Sequence, residues 1–488
     1  MNARAPFGAV VMLAALVAGI LLGQLGSPTA AVPALIAALA ALAVAASRRP
    51  SPTRLLVAAL GFLLLGGAVM QRALHGLTAS PLTAPVAQRA DARLRATLVD
   101  DPDGGRFDVR ALVRADRVDG AGAGGRLVLV RADGDAAARL RLLAAGDGVD
   151  ARGWFEPLDG FDTRWRWRHA VGAFHVTDFV DASHARSPVD RVANRVRALV
   201  LAGSARLAPV DRALLAGFLL GDTRAVPPDL TERFRAAGLT HLTAVSGENV
   251  AFVLAVFAPL LRRLGVRGRV PVAIALLLLF GTMTRWEPSV LRAIAMAVLA
   301  LLAGFLGRPV DALRALVLAA IVLLVADPFL VHSVGFLLSC GASLGIALLA
   351  RPLAARLPGP AWVTEVLAVT AAAQIGVAPV LIPVFGSMPL VALPANLVAV
   401  PLAAPLTIWG LVAGVLGGLV APFAPRVADL LQLPTRALLH ALVTVADVSS
   451  RVPVAVDGRA AWGVIAVVAA IAAVLRLHHH GRRSPARR

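Results

Sequence analysis

The stretch Gly238 to Val250, GLTHLTAVSGENV, decides how the chain is to be read, because it places a histidine, a serine, a glutamate and an asparagine at the mouth of an apolar run, Val250 to Leu261. A charged segment, Leu219 to Arg235 (LLGDTRAVPPDLTERFR), precedes it. Ionisable groups at bilayer depth are costly and face a cavity, a partner or a translocation path. The surrounding composition is that of a membrane protein: 58% of the 488 residues are hydrophobic and the mean hydropathy is +0.76, too apolar for a soluble enzyme of this length. Apolar runs of about 20 residues, the length that crosses the hydrocarbon core, recur from near Phe7 to near Leu475 and predict a bundle of roughly ten membrane helices.

The net charge of +19 is carried by arginine, since the chain has no lysine. That bias fits a GC-rich bacterial genome, and it also marks which loops stay in the cytoplasm. Arg48, Arg49 and Arg54 lie between the second and third apolar segments, whereas Gly26 to Ala31, between the first and second, is uncharged. The N-terminus is therefore expected in the cytoplasm, residues 1–80 form three membrane helices, and the chain emerges outside after Leu74. The first apolar run resembles a signal peptide but lacks a convincing cleavage site and is read as a retained helix. The single cysteine, Cys340, allows no intrachain disulfide and no cysteine-based metal cluster.

Residues 86–182 turn polar, with short alternating segments at Arg93–Val99, Arg106–Val113 and Arg126–Val130 separated by turns at Asp103-Gly104-Gly105 and Gly120–Gly125. This pattern predicts an inserted, extracytoplasmic antiparallel β domain, and its length fits an OB-like barrel. Trp154, Phe155, Trp165, Trp167 and Phe174 cluster near Arg164, Arg166 and Arg168. Two uses remain open for them: stacking on single-stranded nucleic acid, or an interfacial belt at the lipid headgroups.

Residues 188–236 show arginines against apolar faces and are expected to lie along the membrane surface. Residues 237–476 return to the membrane, and their loops alternate. Arg262, Arg263, Arg267 and Arg269, then Arg308 and Arg314, then Arg351 and Arg356 mark one side; Arg285–Glu287 and Asp327–His332 mark the other. The basic tail 477–488, with its three histidines from 478 to 480, is placed in the cytoplasm and read as solvated.

Three blocks now carry a resemblance. Leu219–Phe252 (LLGDTRAVPPDLTERFRAAGLTHLTAVSGENVAF), Val290–Ile346 (with RA, GRPVD, DPF and GFLLSCGASLGI) and Ala371–Pro401 (AAAQIGVAPVLIPVFGSMPLVALPANLVAVP) resemble, in the same order, motifs of the ComEC-type competence proteins. Glu248-Asn249 departs from the family's pattern after Ser-Gly, so no role of the family's histidine there is carried over. The resemblance implies an inner-membrane channel for single-stranded DNA in natural transformation. It implies DNA-receptor and cytoplasmic motor proteins as partners, with membrane lipids around the channel and a homodimer as one arrangement. Many members carry a metallo-β-lactamase-like domain; no His-x-His-x-Asp-His cluster occurs here, so a separate nuclease joins the expected partners.

The candidate substrate path comprises His241, Ser246, Gly247, Glu248, Asn249, Arg292, Gln374, Pro379, Asn396 and Pro401. On an ideal helix His241 and Glu248, seven apart, share a face; they either tie neighbouring helices or touch the substrate. Two such groups do not make a metal site, Ser246 is not in a G-x-S-x-G elbow, and no G-x-x-x-x-G-K-[ST] loop is present, so neither metal nor cofactor is expected. Arg292 is placed to bind phosphate, to pair with Glu287, or to snorkel from a helix end. Prolines 379, 383, 394 and 401 are expected to break two helices, exposing backbone to a pore. Glycines 410, 414 and 418, and 341 and 345, have the spacing for close helix contact. A small-solute transporter using the same polar segment, or an intramembrane enzyme with His241 and Glu248 as acid and base, are the other two classes.

Overall fold

A computed structural model describes residues 4–26, 31–47, 52–105, 108–452 and 455–457; Arg48, Arg49, the last apolar stretch toward Leu475 and the histidine-bearing tail lie outside them. Three helices open the chain: α1 (Arg4–Gly23), α2 (Ala31–Ser47) and α3 (Pro52–Thr78). After the short α4 (Thr83–Ala87) comes a β domain of β1 (Asp91–Leu98), the two-residue β2 (Asp103–Gly104), β3 (Asp108–Val118), the two-residue β4 (Ala121–Gly122), β5 (Leu127–Asp133), α5 (Gly134–Leu140), β6 (Gly148–Glu156) and β7 (Ala170–Ser183).

The five long strands close on themselves in the order β1-β6-β7-β5-β3-β1, antiparallel except for the β5–β7 pair, with α5 between the third and fourth long strands. Closure removes free sheet edges, and this five-stranded Greek-key order is that of an OB barrel. Alternation does the sorting: Val109, Ala111, Val113 and Ala115 of β3 point inward with Val128 and Val130 of β5. Phe155 and Phe174, read from sequence as part of an exposed aromatic cluster, are fully buried and meet edge-to-face at 4.9 Å in the barrel core.

Beyond the barrel lie α6 (Pro188–Gly203), α7 (Pro209–Leu220) and α8 (Pro228–Ala236), then α9 (Gly247–Arg263), α10 (Val266–Met283), α11 (Pro288–Phe305), α12 (Ala312–Ala326), α13 (Val334–Ala354), α14 (Ala361–Phe385), α15 (Ala392–Val420), α16 (Pro425–Leu431) and α17 (Leu433–Ser450). A short pairing of β8 (Ser387–Pro389) with β9 (Ala455–Asp457) covers the α14–α15 turn. Side-chain caps mark several starts: Ser187 accepts from the Asp190 amide, Asp311 from Arg314 and Ser333 from Phe336, each satisfying a donor that the first turn leaves free.

Among the described residues, seven helical segments are long and apolar enough to cross a membrane: Thr53–Thr78, Thr240–Arg263, Val266–Met283, Pro288–Phe305, Val334–Ala354, Ala361–Phe385 and Ala392–Val420. The protein is a multi-pass membrane protein. Among the described residues three further apolar helical stretches, Gly8–Gly23, Ala31–Ala46 and Ala312–Ala326, are shorter; fifteen residues of α12 rise about 22 Å, less than the ~30 Å hydrocarbon core, and the expected number of roughly ten spans is not confirmed.

One expectation needs correction. The prolines do not break α14 and α15: both helices run unbroken through Pro379 and Pro383, and through Pro401 and Pro405. Within the stretch 188–236, every residue of α7 from Ala213 to Leu220 is buried, in a core shared with α15 and α17.

Glycine seams set the closest helix approaches. A Cβ on Gly345 would overlap the Ala372 carbonyl oxygen, Gly341 faces Gly376, and Gly414 and Gly418 meet Gly203 and Leu199 of α6. Without a hydrophobic driving force between helices in lipid, such packing carries association. Gly345→Ala is expected to destabilise the bundle by about 1–3 kcal/mol, whereas Gly304→Ala, with open space around it, is neutral or slightly stabilising because alanine is the better helix former. Reversible unfolding of the two variants in mixed micelles measures the difference.

Candidate functional site

The site is built where α9 and α11 begin. The chain reaches α9 through a turn at Gly238 (φ +69°) and a single 3-10 turn, Thr240–Leu242, before Ser246 adopts extended backbone and α9 starts at Gly247. His241 and Glu248 therefore do not share one helix face; between them the 3-10 turn ends and Ser246 is extended. Both side chains are exposed. Among the described residues neither makes a side-chain ion pair.

Asn249 is 3% exposed and donates from Nδ2 to the Phe218 carbonyl of α7 at 2.7 Å. Ser246 makes only a long contact with Asn249 Oδ1, 3.5 Å, and does not cap the helix. Ser289, at the first turn of α11, donates to the Val245 carbonyl, which ties the starts of α9 and α11 together.

One turn further along α11 stands Arg292, 8% exposed. It neither pairs with Glu287 nor snorkels. Its Nε donates to Ser339 Oγ at 2.8 Å and its Nη1 to Ser343 Oγ, with Met296 Sδ at 3.2 Å. The two serines are i and i+4 on α13 and so occupy one face. A Cβ placed on Gly247 would stand 2.6 Å from Arg292 Nη2, so the guanidinium lies directly against the first residue of α9, and only glycine leaves it room. No carboxylate lies within ion-pair distance of Arg292 among the described residues. Sequence reasoning missed Ser289, Ser339 and Ser343, although the i, i+4 serine spacing within an apolar helix was a usable signal.

The other expected path residues stand apart from this cluster. Gln374 on α14 donates to the Pro389 carbonyl at 3.3 Å. Asn396 is buried in α15, its Nδ2 turned back on the Ala392 carbonyl and its Oδ1 without a partner among the described residues. Pro379 and Pro401 are exposed on their helices. Gly238 packs on Pro389 and Ala392, which brings the His241 turn beside this second group.

The barrel docks over the end of the bundle where α11 begins. Its β1–β3 loop delivers Asp101 into a cage of arginines: Arg197 of α6 at 2.6 Å, Arg285 at 2.6 Å and Arg224 at 3.8 Å. Arg197, 6% exposed, also donates to the Leu220 and Met283 carbonyls, the last residues of α7 and α10. Arg224 grips Asp222 and the Pro102 carbonyl. Burial pushes the Asp101 carboxyl up, but the fields of Arg197 and Arg285 outweigh it and hold the group at about 2. Arg285 and Trp286 both have φ +55°, a left-handed conformation unfavourable for side-chain-bearing residues, and the Asp101 clamp on Arg285 holds that turn immediately before α11.

The β6–β7 loop makes the second contact. Trp167 stacks on His332 at 3.8 Å and meets Phe329, while His169 pairs with Asp327 at 3.0 Å. Gln24, just past α1, bonds His332. The turns 285–287 and 327–332 and the end of α1 thus gather at the barrel end. Trp154 stacks on His175 on the outer face of β6 and β7. Of the aromatic cluster, Trp167 serves docking, a use that neither sequence expectation anticipated.

These features define a polytopic helical membrane protein with an OB barrel clamped to one end of its bundle and a buried, carboxylate-free arginine just inside. A family model described as competence protein matches residues 218–480, more than half of the chain, and the protein belongs to that family. It is similar to ComE operon protein 3 of Bacillus subtilis (strain 168), 26% identical over 251 residues that make up 51% of this chain and 32% of that protein. The chain thus spans about a third of that relative's length. No solved structure matches it.

Removing one partner of a buried ion cluster costs about 3–5 kcal/mol. Asp101→Ala is expected to lower the melting temperature in detergent sharply, and the exposed Asp178→Ala to leave it unchanged. Because the folded value of Asp101, about 2, lies below its ordinary 3.8, the linked stabilisation of about 2 kcal/mol is fully present above pH ~4 and fades as pH falls toward 2. Melts between pH 7 and pH 3 should show the wild type approaching Asp101→Asn only at the acid end.

Proposed function

We propose that this protein is a channel that passes single-stranded DNA across the bacterial inner membrane into the cytoplasm during natural transformation. Membership of the competence protein family supports the assignment to DNA uptake. The observation that carries the transport reading is Arg292: a cation 8% exposed within the helical bundle, held by hydroxyls rather than by an acid. Burying a charge without a counter-charge is costly, and a passing polyanion supplies one. A strand carries about one negative charge per nucleotide, so its path must offer cations without holding it too tightly.

In this reading the barrel faces the cell exterior, the arginine-rich turns face the cytoplasm, and the N-terminus is cytoplasmic. The strand arrives from a DNA-receptor protein at the barrel, passes Arg292 and the open side chains of Glu248 and His241, and is drawn inward by a cytoplasmic motor, with a separate nuclease removing the complementary strand. Gln374 and Asn396 lie further along the passage. The protein supplies a path and no covalent chemistry.

In the native host, deletion of the gene should abolish entry of labelled DNA into the cytoplasm while surface binding persists, and wild-type protein should restore it. The pair His241→Ala with Glu248→Gln should reduce entry despite normal membrane levels. Unchanged DNA entry in the deletion strain would contradict the proposal, and saturable flux of a small solute through the purified protein would replace it.

A further inference from the structure

We propose that Arg292 and the start of α9 form a discrete subsite for a single phosphodiester group of the strand. The inference rests on the transport reading above and adds to it a binding site with defined donors. Two independent observations meet here. The first is an uncapped helix N-terminus: Ser246 places no side-chain oxygen on the amides that follow, and of the first three only the Asn249 amide has a backbone partner, the Ser246 carbonyl at 3.2 Å. The amides of Gly247 and Glu248 are left with the positive end of a 17-residue helix, the arrangement that binds phosphate oxygens.

The second observation is the guanidinium itself, more than nine-tenths buried and aimed at that terminus. Ser339 and Ser343 occupy Nε and Nη1, leaving Nη2 with no hydrogen bond among the described residues, on the side that faces Gly247. The serines therefore act as positioning residues: they fix the plane of the guanidinium so that its free edge and the α9 amides converge. Glycine at 247 is required because a Cβ would stand 2.6 Å from Nη2, with the Ala293 side chain at 3.2 Å on its other side.

The anion chemistry alone would suit free phosphate, a lipid headgroup or a strand. The strand is favoured because the subsite lies one helical turn below the end on which the OB barrel sits. Arg292 has hydroxyl partners and no carboxylate within ion-pair distance among the described residues, so a polyanion threaded past it supplies the missing counter-charge one group at a time.

The test uses the full-length protein in nanodiscs and a fluorescent oligothymidylate with either a phosphodiester or an uncharged methylphosphonate backbone. Arg292→Gln should weaken binding of the phosphodiester strand about tenfold or more and leave the methylphosphonate strand unaffected. Arg292→Lys, which keeps the charge but loses the planar fork, and Ser339→Ala with Ser343→Ala, which frees the fork, should each give an intermediate loss. Gel filtration and melting of each variant check that it is folded; if Arg292→Gln does not fold, the serine pair decides the question. Equal losses for both backbones, or no loss for either, would overturn the subsite while leaving the transport proposal to its own genetic test. Competition by millimolar inorganic phosphate as effective as competition by the strand, or by anionic lipid in the nanodisc, would overturn the strand as occupant.

Discussion

The Asp101 clamp is the interaction on which the arrangement depends. One carboxylate from a barrel loop holds Arg197 and Arg285, with Arg224 close by, and through them the last carbonyls of α7 and α10 and the left-handed turn that launches α11. Because α11 begins three residues after Arg285, the position of the barrel and the position of Arg292 are set by the same contact. A rigid joint of this kind makes the OB loops structural parts of that end of the bundle. Those loops are the ones that bind oligonucleotides in OB barrels generally; here parts of both are engaged by the protein itself.

The helical bundle shows how a membrane interior accommodates polar groups. Asn249, Thr282 and Thr284 turn their donors onto nearby carbonyls, as they must where no water can compensate. Arg292 differs, since its hydroxyl partners satisfy donors but not charge. Glycine seams bring α13 against α14 at Gly345 and Gly376, and α15 against α6 at Gly203 and Gly414.

Much of this was legible in the sequence. Hydropathy marked the spans, charge alternation correctly grouped the turns 285–287 and 327–332 at one end, and three of the five barrel strands lay in the expected segments. The strands Gly148–Glu156 and Ala170–Ser183 were masked by the arginine and tryptophan residues between them, which belong to a docking loop. The seven-residue spacing of His241 and Glu248 misled because it presumes a continuous helix, whereas the 3-10 turn ends at Leu242 and Ser246 is extended. The prolines misled for a related reason: within a membrane-type bundle an unbroken helix still satisfies more backbone groups than any alternative, so α14 and α15 absorb Pro379 and Pro401. The Asp101 cage joins residues up to 184 apart in sequence, and no local pattern announces it.

The most direct measurement is photocrosslinking during uptake in living cells, with a photoreactive amino acid at Ser246 or Ser343 in the Arg292 cluster and, for comparison, at Leu302 on the outer surface of α11. The account predicts that incoming labelled DNA crosslinks from Ser246 and Ser343 but not from Leu302, and that the adducts accumulate when internalisation is stalled. Crosslinks absent from both interior positions while DNA entry proceeds normally would contradict a path through this cluster.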